Sequence, residues 1–119
     1  MRIVHFELPA DDPARCMRFY ERAFGWRFDK WDGPMEYWMV KTGDGPGIDG
    51  GLARREHPGQ PCTNVVSVPN VDESTTAIVT AGGTPTVPKM AVPGVGWAAY
   101  FTDTEGTAFG IIQFDSAAA

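Results

Sequence analysis

Residues 1–26 read MRIVHFELPADDPARCMRFYERAFGW, and this stretch contains one full strand–helix passage. Side chains alternate faces along a strand at period two. From Ile3 to Leu8, Val4, Phe6 and Leu8 therefore share one apolar face, while His5 and Glu7 share the other. Asp12 is placed to accept backbone N–H bonds as an N-cap, and Pro13 suits the first helical position. Phe19, Tyr20, Ala23 and Phe24 recur at helical spacing, so they form the expected buried stripe. Gly25 then ends the helix, because glycine adopts the left-handed C′ conformation at no steric cost.

Three strands are expected to follow. They run from Trp26 to Trp31, from Met35 to Thr42 and from Ile48 to Arg54, with Gly- and Pro-rich turns between them. Residues 56–61 read as a polar loop. The same order then recurs: a strand from Thr63 to Val68, and a helix from Glu73 to Ala81 capped by Asp72. Strands from Thr84 to Lys89, Gly96 to Thr102 and Ala108 to Phe114 complete the chain, with a loop at 91–94 and an alanine tail expected to fray. The second helix is rich in Thr and Val, so intrinsic propensity supports it poorly. A shift of about 58 positions lays Leu8 on Val66 and Gly25 on Gly83, and one of about 61 lays Val40 on Phe101 and Ile48 on Phe109. The expected architecture is α+β: one domain over 1–119, made of two tandem βαβββ modules of about 1–55 and about 62–115. Their curved mixed sheets would enclose a cavity. Val66, Val68, Phe109 and Ile111 carry the apolar, helix-packing face, as do Trp38 and Trp97; the opposite face reads as mixed.

Composition narrows the function classes. The chain has 119 residues and a formal net charge of −5, with its Lys and Arg scattered apart from the pair Arg54-Arg55. Nucleic-acid binding needs clustered cations, so that class is excluded at this stage. No apolar run approaches the ~20 residues of a membrane span. The N-terminus does not read as a signal peptide. Cys16 and Cys62 have no CxxC spacing and read as reduced thiols of a cytoplasmic protein.

The order Met1-Arg2-Ile3-Val4-His5, Asp12-Pro13, Phe19-Tyr20-Glu21 and Phe24-Gly25-Trp26, with Gly96-Trp97-Ala98-Ala99-Tyr100-Phe101-Thr102-Asp103-Thr104-Glu105-Gly106 near the end, resembles the vicinal-oxygen-chelate superfamily. That superfamily includes glyoxalase I, bleomycin-resistance proteins and extradiol dioxygenases, and the closest look is to small glyoxalase-like proteins. Where relatives carry Pro and Asn in the last turn, Thr104 and Thr107 stand here. The resemblance implies four metal-ligand positions on the first and fourth strands of the two modules. They fall on His5, on or beside Asp49, on Thr63 (or Asn64), and on Gly110. Thr is a poor ligand for a first-row divalent metal and Gly offers no side chain. The reading is therefore metal-free, with no cofactor; a divalent metal on His5 and Asp49 is the alternative.

The ligand-binding candidates are His5, Glu7, Tyr37, Met39, Asp49, Thr63 and Tyr100. By strand alternation most of them face the cavity, together with Ala98. A desolvated Glu7 would serve as a general base, since burial raises a carboxyl pKa, and tyrosine hydroxyls orient ligands. Each also has a structural role open to it: His5 bonded in the wall, Glu7 paired with an Arg, Tyr37 and Tyr100 packed. His57 reads as a solvated loop residue. The expected function is small-organic-molecule binding of glyoxalase or bleomycin-resistance type, with catalysis open. The alternative is a metal-dependent lyase or isomerase of glyoxalase I type. The resemblance also implies a homodimer.

Overall fold

The computed structural model describes residues 1–119 in full. The fold is α+β, with two helices and eight strands in mixed ladders. The order is β1 (Ile3–Ala10), α1 (Pro13–Phe24), β2 (Arg27–Lys30), β3 (Trp38–Lys41), β4 (Gly50–Arg54), β5 (Thr63–Ser67), α2 (Val71–Thr80), β6 (Thr84–Val92), β7 (Gly96–Thr102) and β8 (Ala108–Phe114). This is βαβββ twice, as the repeat requires. Contacts divide the chain into two compact units, His5–Cys62 and Thr63–Ala119, the latter with Met1–Val4. The first residues of β1 group with the second module, since Ser67 N–H donates to the Arg2 carbonyl at 2.8 Å.

In the His5–Cys62 unit the ladder order is β2-β3-β4-β1. β4 is parallel to β1, with Leu8 opposite Leu52, and antiparallel to β3, with Trp38 opposite Leu52. Ala10, Val40 and Leu52 are buried, with Phe6, Leu8, Cys16, Met17, Trp26, Phe28 and Trp38 packed around them. α1 begins and ends as its sequence dictates. Asp12 accepts from Arg15 N–H, and Gly25 stands at φ 72° and bonds back to the Glu21 carbonyl. Its buried stripe differs from expectation. Pro13, Cys16, Met17 and Tyr20 face inward, whereas Phe19 and Phe24 are 59% and 64% exposed and Ala23 is exposed too. Helical spacing admits several adjacent stripes, and packing selected the one that lies over Phe6 and Leu8. Tyr20 stacks on Trp26 at 4.8 Å, which anchors the helix end.

The Thr63–Ala119 unit has the ladder order β5-β8-β7-β6. Val68, Val71, Ala99, Phe101 and Ile111 form its helix-facing core, joined by Val66, Trp97 and Phe109 as alternation predicts. Its other face carries Thr63 and Ser67 beside an apolar cluster. Val65, Ala98 and Ile112 are buried there, packed with Val4, Val92 and Tyr100. α2 is capped by Asn70, which accepts from Glu73 N–H at 2.9 Å; Asp72 lies inside the helix and pairs with Lys89 instead. Asn70 wins the cap because the buried Val71 must begin the first turn. β6 extends to Val92, through the expected loop, because its antiparallel ladder with β7 reaches Gly96; it carries register shifts near Pro85 and Pro88. Proline cannot donate to a ladder and is tolerated on such an edge. The alanine tail does not fray. Gly94 N–H donates to the Ala118 carbonyl at 2.9 Å, and Ala118 is 4% exposed.

The register corrects one part of the repeat. Met39 and Val40 face Gly51 and Gly50, while Tyr100 and Phe101 face Gly110 and Phe109. Gly50, not Ile48, is therefore the counterpart of Phe109. The two expected β4 residues Ile48 and Asp49 belong to the preceding loop, which is longer than the turn between β7 and β8.

Candidate functional site

The polar residues of the His5–Cys62 unit converge on one rung. Glu7, Gly51 and Met39 lie side by side across β1, β4 and β3. Tyr37 enters from just before β3, its carbonyl accepting from Trp31 N–H at 2.8 Å. The Tyr37 hydroxyl stands 2.7 Å from His5 Nε2 and donates to the Glu7 carboxylate. Tyr37 has one proton to give. With that proton on Glu7, His5 Nε2–H must be the donor to the Tyr37 oxygen, which leaves the lone pair on Nδ1. The result is a hydrogen-bonded chain, His5 to Tyr37 to Glu7.

Gly51 makes the chain possible. A Cβ there would overlap the Tyr37 hydroxyl and its ring, so any larger residue would push Tyr37 out. Glycine inside a strand marks close approach by another group. The run Gly50-Gly51 was thus the available sequence signal for a residue absent from the candidate set. Trp31 is a second such residue. Its ring covers Gly33 and meets Tyr37 edge-on at 6.1 Å. That edge-on contact packs the indole against the phenol ring.

The electrostatics follow from burial. Burial pulls His5 below the usual imidazole range, and the nearby Asp49 carboxylate pulls it weakly back. Burial pushes the Tyr37 phenol well above its ordinary value, and the charge and acceptor of Glu7 push it further the same way. At neutral pH the chain is therefore a neutral imidazole and a neutral phenol against the carboxyl of Glu7. Asp49 is held below the usual carboxylate range, chiefly by the Thr42 backbone N–H at 2.9 Å; the Thr42 hydroxyl and Lys41 add to this.

The remaining candidates fall elsewhere. Met39 is partly exposed on the same rung. Thr63 opens β5 and is half-buried, and Tyr100 belongs to the Val65–Ala98–Ile112 cluster; both are in the Thr63–Ala119 unit. The Tyr100 ring lies over Gly110, where a Cβ would come within 2.7 Å of it. His57 is exposed, with Nδ1 beside the Pro58 carbonyl.

His5 Nε2 is engaged by Tyr37 and Asp49 Oδ1 by Thr42. Tyr100 fills the space at Gly110, and no three or more His, Cys, Asp or Glu side chains converge. A first-row metal needs about three or four such donors at ~2.0–2.2 Å.

Comparison with known proteins agrees with this architecture. Residues 2–43 match the family model described as bleomycin resistance protein-like N-terminal. A protein of Bacillus halodurans described as hypothetical superposes with a TM-score of 0.72 at 12% identity, covering 99% of this chain and 97% of that one. A variant methylmalonyl-CoA epimerase of Streptomyces coelicolor, in complex with 2-nitronate-propionyl-CoA, gives 0.69 at 14% identity over 100% and 98%. A glyoxalase/bleomycin resistance protein/dioxygenase superfamily member from Vibrio splendidus gives 0.66 at 18% over 94% and 97%. No match was found among curated proteins. The chain has the vicinal-oxygen-chelate fold. Within that fold, its first module is bleomycin-resistance-like in sequence. No helix is long and apolar enough to cross a membrane.

Proposed function

We propose that this protein binds a small organic molecule on the His5–Glu7–Tyr37 face without a metal cofactor, as a cytoplasmic homodimer. One observation carries the reading: the Tyr37 hydroxyl, 2.7 Å from His5 Nε2, is also bonded to Glu7 over a glycine that only its absence of a side chain explains. Buried polar groups are costly unless paired, and here three are paired with one another on the side of the sheet away from α1. Such a chain presents an acceptor at Glu7, a donor and acceptor at Tyr37, and an imidazole lone pair. Trp31 and Met39 supply adjoining apolar surface. Pockets of this make-up, mostly apolar with a few placed polar groups, suit small organic ligands. The same chain is competent to move a proton, because Glu7 and His5 share a phenol between them.

Ligand-observed saturation-transfer NMR with a library of aromatic and amine-bearing small molecules tests the proposal. Hits that bind the wild type and are lost in Glu7→Gln and Tyr37→Phe support it. Hits that persist in both variants, or none at all, refute it. Native mass spectrometry on the same protein, purified without chelators, tests the rest. A dimer without metal is expected, and stoichiometric metal would restore the lyase or isomerase reading through His5 and Asp49.

A further inference from the structure

We propose that the outward face of α1, where Arg15, Arg18 and Arg22 flank Phe19, docks an acidic segment of a partner protein that carries an aromatic residue. The three arginines are spaced i, i+3 and i+7, so they line one side of the helix over about 10 Å. Phe19 and Ala23 form the adjoining strip, and together the five side chains line a shallow depression. Phe19 is 59% exposed, with the Tyr20 ring meeting it edge-on at 5.0 Å.

Arg2, Arg15, Arg18, Arg22, Arg27 and Lys30 all lack an ion pair, but only on α1 do three of them share one helix face. Lys41, Lys89, Arg54 and Arg55 each pair with a carboxylate, whereas Arg15, Arg18 and Arg22 pair with none. Three unpaired guanidiniums on one helix face stand out in a chain of net charge −5. Like charges on neighbouring helix turns repel; an acidic occupant would relieve that repulsion and accept bidentate hydrogen bonds. The exposed Phe19 ring supplies the apolar contact that charge alone lacks, since aromatic residues and arginine are the side chains enriched at interface centres.

The same features choose between occupants. A second copy meeting this face by two-fold symmetry would set guanidiniums against guanidiniums. An anionic bilayer is wider than the patch, and would press its headgroups on the exposed Asp11, Asp12 and Glu21 around it. A narrow acidic segment lying along the stripe meets fewer of these carboxylates than a bilayer does.

Fluorescence anisotropy with a labelled synthetic peptide of Asp and Glu around a central Trp tests this on the full chain. Saturable binding is expected, weakened at least about tenfold in Arg18→Glu/Arg22→Glu. Phe19→Ser is expected to weaken it several-fold, and raising salt to weaken it further. The substituted positions are exposed, and circular dichroism confirms that each variant folds. No saturable binding, or equal affinity in the double variant, would overturn the proposal. So would arginine-dependent sedimentation with phosphatidylserine vesicles in the absence of peptide binding, which would assign the face to a lipid surface.

Discussion

Gly51→Ala is the substitution that most directly interrogates the site. It adds one methyl group where the Tyr37 hydroxyl and ring already stand, so Tyr37 must leave. Overpacking of this kind costs about 1–3 kcal/mol. The displaced hydroxyl gives up a bond to His5, worth about 0.5–1.5 kcal/mol net, and one to Glu7, worth about 1.5–3 because the acceptor carries charge. Against this, alanine gains about 0.5–1 kcal/mol over glycine in a strand through chain entropy. The net expectation is a loss of about 2–7 kcal/mol. In a Tyr37→Ala background the obstacle is gone, so Gly51→Ala should be neutral or slightly stabilising. The coupling between the two positions is then about 2 kcal/mol or more, large beside the few tenths expected of independent sites. Urea denaturation of the wild type, both single variants and the double variant measures it. A cost below about 1 kcal/mol in the wild type, or an equal cost in both backgrounds, would show that Tyr37 is not held against Gly51. A histidine C2–H titration on the single variant adds a readout, since a more exposed His5 should titrate closer to its ordinary 6.5.

Other expectations follow from the same structure. His5 is depressed by burial, so the unfolded chain binds its proton more readily than the folded one. Its stabilising contribution is full above 6.5 and is lost as pH falls toward its depressed folded value; thermal melts across that window should show the slope, and His5→Asn should flatten it. Leu52, with no exposed surface and flanked by Leu8 and Trp38, should cost about 2–5 kcal/mol as alanine in equilibrium unfolding. Burial pushes the Cys16 thiol up while Cys62 is exposed, so iodoacetamide at mildly alkaline pH should label Cys62 first, as read by mass spectrometry. Deleting 117–119 removes the acceptor of Gly94 and the buried Ala118, and should lower stability by about 1–2 kcal/mol.

Much of the fold is legible in residue order alone. Asp12-Pro13 and Gly25 bound α1 because capping is local chemistry. Strand alternation placed Val66, Val68, Phe109 and Ile111 on the helix-facing side, since a two-residue period leaves no other choice. The same alternation put His5, Glu7, Tyr37 and Met39 on the cavity face, but not the hydrogen bonds among them. Register across strands was decided by tertiary packing. The loop holding Ile48 and Asp49 could be counted as strand until the Met39–Gly51 pairing was seen. The inward stripe of α1 was likewise open, because Cys16, Met17 and Tyr20 match helical spacing as well as Phe19 and Phe24 do. The polar chain itself depends on three segments meeting: β1, the lead-in to β3, and a glycine of β4 small enough to let a hydroxyl through. Local sequence specifies backbone conformation and which face a side chain takes. Which faces then meet, and at what register, is settled by long-range packing, in which a one-residue slip changes every partner.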